Sequence, residues 1–507
     1  MPPEISLPLE QPCPVTDAIT AWRAIADLPY PFLLHSSLPG TRARWSFFGA
    51  DPFSIYRGGD YFGGVAAFRR LARRAGAIGS TSGGAQGPAA HAEYSALGAH
   101  GALHAPFTGG AVGYWSYDFG RRLEHWRIES GARVAEDDLE LPDFLLGFYD
   151  VVGAIDHHAG EAWLYSSGLP LDGERRIEHA RRRLERFTWL LERSASPERD
   201  EPAWRDDAAG GPGEPLLARS NFHPDDYRGA VARIQEHIRR GDIFQANLSQ
   251  RWTVPLESRD PERTALALHE AMTQLSPAPF AALLGGEDHA VVSASPERFL
   301  ELRGARVEAR PIKGTRTRHA DEEADARLAT ELAASAKDRA ENVMIVDVLR
   351  NDLGRVCESG SVAVPELCAL ESFPQVHHLT STVTGTLAEG RDAFDLLHAC
   401  FPGGSITGAP KIRAMELLEG IEPHRRHLYT GSIGYVDWRG SADWSIAIRT
   451  ALVTADAIRF AAGGGITADS DPQAEYEETL HKAEGLRLAL AAMLGGLELD
   501  APAVHAG

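Results

Sequence analysis

Cysteine is scarce in this chain: Cys13, Cys357, Cys368 and Cys400 are the four in 507 residues, and no two are spaced C-x-x-C. That excludes a disulfide framework and argues against a structural zinc. Long apolar runs are also missing. The stretch LALAAMLGGL, Leu488 to Leu497, is too short to span a bilayer. The opening residues MPPEISLPLE lack the basic segment and apolar core of a secretory signal, so a cytoplasmic location is expected. Positive charge is outnumbered, 51 basic against 71 acidic residues, for a formal net charge of −20. Nucleic acid and anionic membranes are therefore not expected as partners. A small anion at a local site remains compatible with that balance.

What is present reads as a large soluble enzyme-like chain, with 43% hydrophobic and 24% charged residues. Two segments have linker composition: the Gly/Ala/Ser-rich 75–110 and the Pro/Gly/acid-rich 194–220. The second divides the chain into an N-terminal region 1–195, a linker 196–220 and a second region 221–490. LLGFYDVVGAI and EAWLYSS, separated by DHHAG, read as a hairpin, and ERRIEHARRRLERFTWLLERS as an amphipathic helix. HPDDYRGAVARIQEHIRRG carries Tyr227, Val231, Ile234 and Ile238 on one helical face. Later strands fall into two series, FAALLG to VEARPIKG and TGSIGYVDW to IRFAAGGGI. Helices are expected over 324–351, around 409–418 and after Gln473. The connections are too short for parallel crossovers, so the sheets should be mainly antiparallel and the class α+β.

Three groupings carry chemistry. Asp338 and Glu341 share one helix face, as do Glu475 and Glu478. Converging acid pairs would offer hard oxygen ligands to magnesium, although each pair alone also fits a solvated helix face. The glycine-rich FPGGSITGAPK and AAGGGITADSDP expose backbone N–H groups that can hold an anion, or are ordinary turns. Glu297, His378, Tyr429 and Arg449 are polar residues in apolar surroundings. An arginine so placed can fork a carboxylate, and a buried carboxylic acid can hold a proton near neutral pH. Structural ion pairs and core packing are the competing readings. In RPIKGTRT, Lys313 is either a solvated turn residue or a reactive amine.

Taken together, GDIFQANLSQRW, SASPERFLEL, PIKGT, AENVMIVDVLRNDLGRV, FPGGSITGAPK, YTGSIGY, IRTA, GGGI and EYEETLHKA resemble the chorismate-using enzymes, in family order from Gly241 to Ala483. That family includes anthranilate synthase component I and aminodeoxychorismate synthase component I. The resemblance implies their fold: large antiparallel sheets packed as a sandwich with helices outside, and a chorismate-binding catalytic domain over 221–490. It implies magnesium held by Glu341 and Glu478, with Asp338 and Glu475 in support; Asp338 departs from the usual glutamate. Arg449, Tyr429 and the backbone of Gly463, Gly464 and Gly465 match the grip on the substrate carboxylates. Gly314, Thr315 and Ser405 line the same site, His378 matches the histidine close to the ring, and Glu297 matches the general acid/base.

Lys313 selects among the branches. Anthranilate synthases similarly carry alanine there, whereas relatives that aminate carbon 4 commonly carry PIKGT. Isochorismate-forming relatives put a lysine where this chain has Gln245. The resemblance then implies amination of chorismate at carbon 4 through a lysine intermediate, on the 4-aminobenzoate and folate route. Ammonia would come from a separate glutaminase subunit, since no cysteine here has nucleophile-elbow surroundings. Ser36, after two leucines in FLLHSS, matches a tryptophan-binding serine. The alternatives are amination at carbon 2, as an anthranilate or 2-amino-2-deoxyisochorismate synthase, and a non-catalytic tryptophan-binding regulator.

Overall fold

The computed structural model describes residues 7–38, 44–76, 105–124, 126, 134–194, 216–256, 260–373 and 376–500. The Gly/Ala/Ser-rich segment is outside them over 77–104, and the linker over 195–215. Two sheets, of thirteen and ten strands, lie face to face. Phe47, Val152 and Ala282 of the larger sheet pack against Val112, Ile433 and Tyr435 of the smaller one. Helices Ala18–Ile25, Gly173–Ser194, Pro261–Leu275 and Pro472–Leu494 cover the outer face of the larger sheet. Tyr61–Gly76, Ala336–Gly354 and Ala393–Cys400 cover the smaller one, while Pro224–Arg239 and Lys411–Ile421 pack on the larger sheet at Ala246 and Leu248. Strand pairing is antiparallel in every described ladder but one, Leu497–Leu499 with Leu216–Ser220. This is the α+β sandwich with outer helices that the sequence predicts.

Both sheets draw strands from either side of the linker. In the larger, Phe32–His35 pairs with Phe280–Gly285. In the smaller, Gly110–Trp115 pairs with Ser432–Asp437.

Several apolar runs that read as single strands change sheets midway. LLGFYDVVGAI divides into Phe144–Tyr149 in the smaller sheet and Val151–Asp156 in the larger. Between them Asp150 is buried and held by Arg183 at 3.0 Å. WSIAIRTALV divides into Ala442–Ile446 of the smaller sheet and Thr450–Thr454 of the larger, around Arg449 with its positive φ of 49°. The chain crosses once more between His289–Ser295 and Arg298–Arg303, and Glu297 sits at that crossing. The helix expected over 324–351 is two helices, Glu322–Ala334 and Ala336–Gly354, parted at the extended Ser335, whose hydroxyl caps the second by accepting from Asp338 N at 3.2 Å. KGT does not end its strand. Ile312–Thr317 runs through it with a register shift between Ile312 and Thr315, at Gly314.

Candidate active site

The crossings at Glu297 and Arg449 are tied to each other. Ile446 N donates to Glu297 O at 3.1 Å, and Ala294 N to Arg449 O at 3.0 Å. Ser295 Oγ adds a bond to Ile446 O at 2.6 Å. An acid and a guanidinium from distant parts of the sequence are thereby fixed at one seam between the sheets.

Ser405 links that seam to the lysine. Its hydroxyl donates to Glu297 Oε1 at 2.8 Å, and its carbonyl accepts from Lys313 Nζ at 3.0 Å. Burial pushes the Glu297 carboxyl up, while Lys313 and Ser405 oppose that shift. Burial also pulls the Lys313 amine below its ordinary value; Lys482 adds to the effect, and Glu341, Glu297 and Glu478 work against it. Among the described residues Lys313 has no carboxylate within ion-pair distance, so it is a crowded amine biased towards neutrality. The register shift that presents it needs Gly314, whose φ is +83°, and a Cβ there would strike Asp338 and Leu332 at 2.9 Å.

On the next residue, Thr315 Oγ1 bonds His378 Nδ1 at 2.9 Å. His378 is buried and its ring is pulled down to about 4, by burial first and then by the Arg449 charge. It is a neutral imidazole at neutral pH. Arg449 has no ion pair or side-chain hydrogen bond among the described residues, and burial alone lowers its value. A desolvated cation without a partner costs on the order of several kcal/mol, so a ligand anion is the natural complement. Tyr429 is buried beside the Arg426–Glu422 pair, and burial pushes its phenol up.

Gly463, Gly464 and Gly465 end the strand Ala457–Ile466. Gly464 is bare because acids fill its flank: a Cβ would sit 2.9 Å from Glu475 Oε2 and 3.5 Å from Glu478 Oε1. Asp471 caps the helix Pro472–Leu494 that carries both glutamates. Glu475 Oε1 accepts from Ser470 at 2.6 Å, and its Oε2 is buried without a partner. Glu341, from the helix Ala336–Gly354, is pushed up by burial, with Asp338 and Glu478 adding to the shift. Among the described residues no three metal-ligating side chains already converge into a cage. The donor chemistry still fits a hard divalent cation: acids that repel one another and one orphaned buried carboxylate oxygen.

Lys482 was not read as a site residue from sequence. Its Nζ bonds Gly463 O at 2.9 Å and pairs with Glu478 Oε1 at 2.6 Å. Ser36 stands apart from this cluster. It faces a cavity of about 340 Å³ between the sheets, with Trp45, Phe47, Phe280, Tyr435 and Asp443 among its walls. Its hydroxyl donates to Trp45 O at 2.7 Å. Arg298 lies 5.1 Å over the Phe280 ring and forks Asp443 at 3.0 and 2.9 Å.

A half-buried amine, an acid whose carboxyl burial pushes up and an unpaired guanidinium at the seam of an antiparallel sandwich define an enzyme site for a small organic anion. The match to the family model described as chorismate binding enzyme covers residues 55–487, so the chain belongs to that family. Among its relatives, aminodeoxychorismate synthase component 1 of Klebsiella aerogenes is 44% identical over 382 residues, 75% of this chain and 76% of that protein. Anthranilate synthase component 1 of Mycolicibacterium smegmatis is 37% identical over 495 residues, 94% and 88% of the two chains. The solved anthranilate synthase component I of Streptococcus pneumoniae TIGR4 superposes with a TM-score of 0.68 at 27% identity, over 89% of this chain and 93% of that one.

Proposed function

We propose that this enzyme aminates chorismate at ring carbon 4, giving 4-amino-4-deoxychorismate with the enolpyruvyl group retained. One observation carries the reading: Lys313 is desolvated towards neutrality and bonded to the same Ser405 that holds Glu297. The kinship with aminodeoxychorismate synthase component 1 supports the same branch.

Arg449, Tyr429 and the glycine backbone hold the substrate carboxylates. The Lys313 amine bonds to ring carbon 2 as both ring double bonds shift one position along the ring and the carbon 4–oxygen bond breaks. Glu297 gives its proton to the departing hydroxyl, which leaves as water. Ammonia then bonds to carbon 4, the lysine–carbon 2 bond breaks, and proton transfers restore both groups. The neutral His378 ring stays beside the reacting carbons. Glu341 and Glu478 would hold magnesium, with Asp338 and Glu475 around them. The ion would offset the substrate's negative charge.

Ammonia comes from a separate glutaminase subunit, in keeping with the component 1 name of the relatives. The product serves 4-aminobenzoate and folate synthesis in the cytoplasm. The aromatic cavity at Ser36 is where tryptophan would bind.

Intact-protein mass spectrometry with chorismate, magnesium and no ammonia tests the lysine step. An adduct on the wild type that is absent from Lys313→Ala is expected. No adduct, with normal turnover in the variant, removes that step. Anthranilate as the main product from chorismate and an ammonium salt would place amination at carbon 2 instead, and no turnover at all would favour the regulator.

A further inference from the structure

Lys411 and Asp352 each carry a charge at the wrong end of a helix. Lys411 is the first residue of Lys411–Ile421, and Asp352 lies in the last turn of Ala336–Gly354. A helix favours anions at its N-terminus and cations at its C-terminus, so each charge opposes the dipole of its own helix. Both are largely buried, with side chains 10% and 5% exposed. Burial pushes the Asp352 carboxyl up, and Lys411 opposes that shift. Neither the local helix nor solvent accounts for these charges; what they reach does.

The Lys411 ammonium reaches back across residues 401–410. Its Nζ bonds Asp352 Oδ2 at 2.6 Å and Cys400 O at 2.7 Å. Cys400 ends the helix Ala393–Cys400, and its carbonyl is one of those a helix end leaves without an intrahelical partner. One cation therefore closes the loop at its base, joining the residue before it to the residue after it.

Ser405 sits in the middle of that loop, where it bonds both Glu297 and Lys313. Gly403 and Gly404 precede it, so the loop has few side chains of its own to fix it there. Beyond Ser405 it is held by Arg426 Nη1 to Ile406 O at 3.0 Å and by Asn247 N to Thr407 O at 2.8 Å. Before Ser405 it lies on the helix that supplies Asp352: a Cβ on Gly404 would be 2.7 Å from Val348 Cγ1. Glu341, Val348 and Asp352 are seven and four residues apart, which puts them along one face of Ala336–Gly354. A single helix face thus carries the acid assigned to magnesium, the seat of the loop and the carboxylate that fastens it.

We propose that Lys411 and Asp352 are positioning residues for the reaction. Acting through the loop they close, they fix Ser405 between Lys313 and Glu297 and set that group against the helix of Glu341. Neither touches substrate. This rests on the reading that Lys313 and Glu297 act on the ring, and adds what holds the two in step.

Steady-state kinetics with chorismate, magnesium and ammonium chloride, beside thermal melts, test it on Lys411→Gln and on Lys411→Met combined with Asp352→Leu. The first keeps a donor without the charge. The second replaces the pair by apolar groups of similar size, an exchange that buried ion pairs commonly tolerate. Misfolding of either leaves the other to decide. The combined variant should melt close to the wild type, with kcat lowered about a hundredfold, as for reacting groups displaced by about 1 Å. KM for chorismate should stay within about twofold, since Arg449 and Tyr429 are untouched. The rate of Lys313 adduct formation without ammonia should fall by the same factor as kcat. Lys411→Gln should lie between the combined variant and the wild type. A variant that melts and turns over like the wild type overturns the proposal. So does a loss confined to KM, which would make the pair a support of the substrate grip instead. Anthranilate from the wild type would overturn the amination reading while the same split still decides the pair; no chorismate turnover by the wild type overturns both.

Discussion

Lys482 acts on Lys313 without touching it. A second cation nearby favours the neutral amine, so removing it must raise the Lys313 value. The neutral form predominates above that value, and less of it is present at any given lower pH. Lys482→Met should therefore move the pH midpoint of adduct formation to higher pH, whatever it does to the limiting rate. An unmoved midpoint, measured by mass spectrometry across the pH range, would show that burial alone tunes the amine. His378 contributes no limb to that profile above about pH 5, since its ring is already neutral there. Lys313, Glu297 and Arg449 came into view through the family resemblance of the runs around them, since each taken alone also fitted a structural reading. Lys482 did not, because a Glu–Lys pair four apart on a helix is also the commonest pattern of a solvated surface.

At the scale of elements, the glycine strand and the helix Pro472–Leu494 meet at Gly464 with no room to spare. A methyl group there would press on Glu475 and come into contact with Glu478. On the proposed magnesium site, Gly464→Ala should raise the magnesium concentration for half-maximal activity by about tenfold while leaving the melting temperature nearly unchanged, because the far ends of carboxylate side chains yield more easily than backbone. Activity titrated with magnesium, beside a thermal melt, checks both halves. Sequence periodicity located most strands and the helices Gly173–Ser194, Pro224–Arg239 and Pro472–Leu494. It missed the changes of sheet at Asp150 and Arg449, because strands buried on both faces are apolar throughout and a crossing leaves no gap in hydrophobicity. It missed the break at Ser335 because a single serine cap inside a helix-forming run has no periodic signature.

The molecule as a whole does not separate along its sequence. Strand Phe280–Gly285 is flanked by the N-terminal Phe32–His35, and Ser432–Asp437 by Gly110–Trp115. A fragment of residues 221–490 would expose those strand edges and one side of the inter-sheet core. It should fail to give a soluble, cooperatively melting protein, whereas the two halves produced together should associate. Gel filtration and calorimetry of the fragment decide, and a single sharp transition from the fragment alone would contradict the expectation. The cavity at Ser36 draws its walls from both sheets, so no reading confined to one region could have located it.

The positions of Glu297 and Arg449 are set by backbone, where two crossings bond to each other. Lys313 is held differently, on a bulge in a strand outside those crossings, by one bond from its own side chain. The scaffold therefore separates what is permanent from what is exchangeable. A substitution at 313 leaves the acid, the guanidinium and their spacing intact. On the proposed lysine mechanism, exchanging that one side chain is the route by which an ancestral or engineered protein would change which ring carbon is attacked, with no new fold to find.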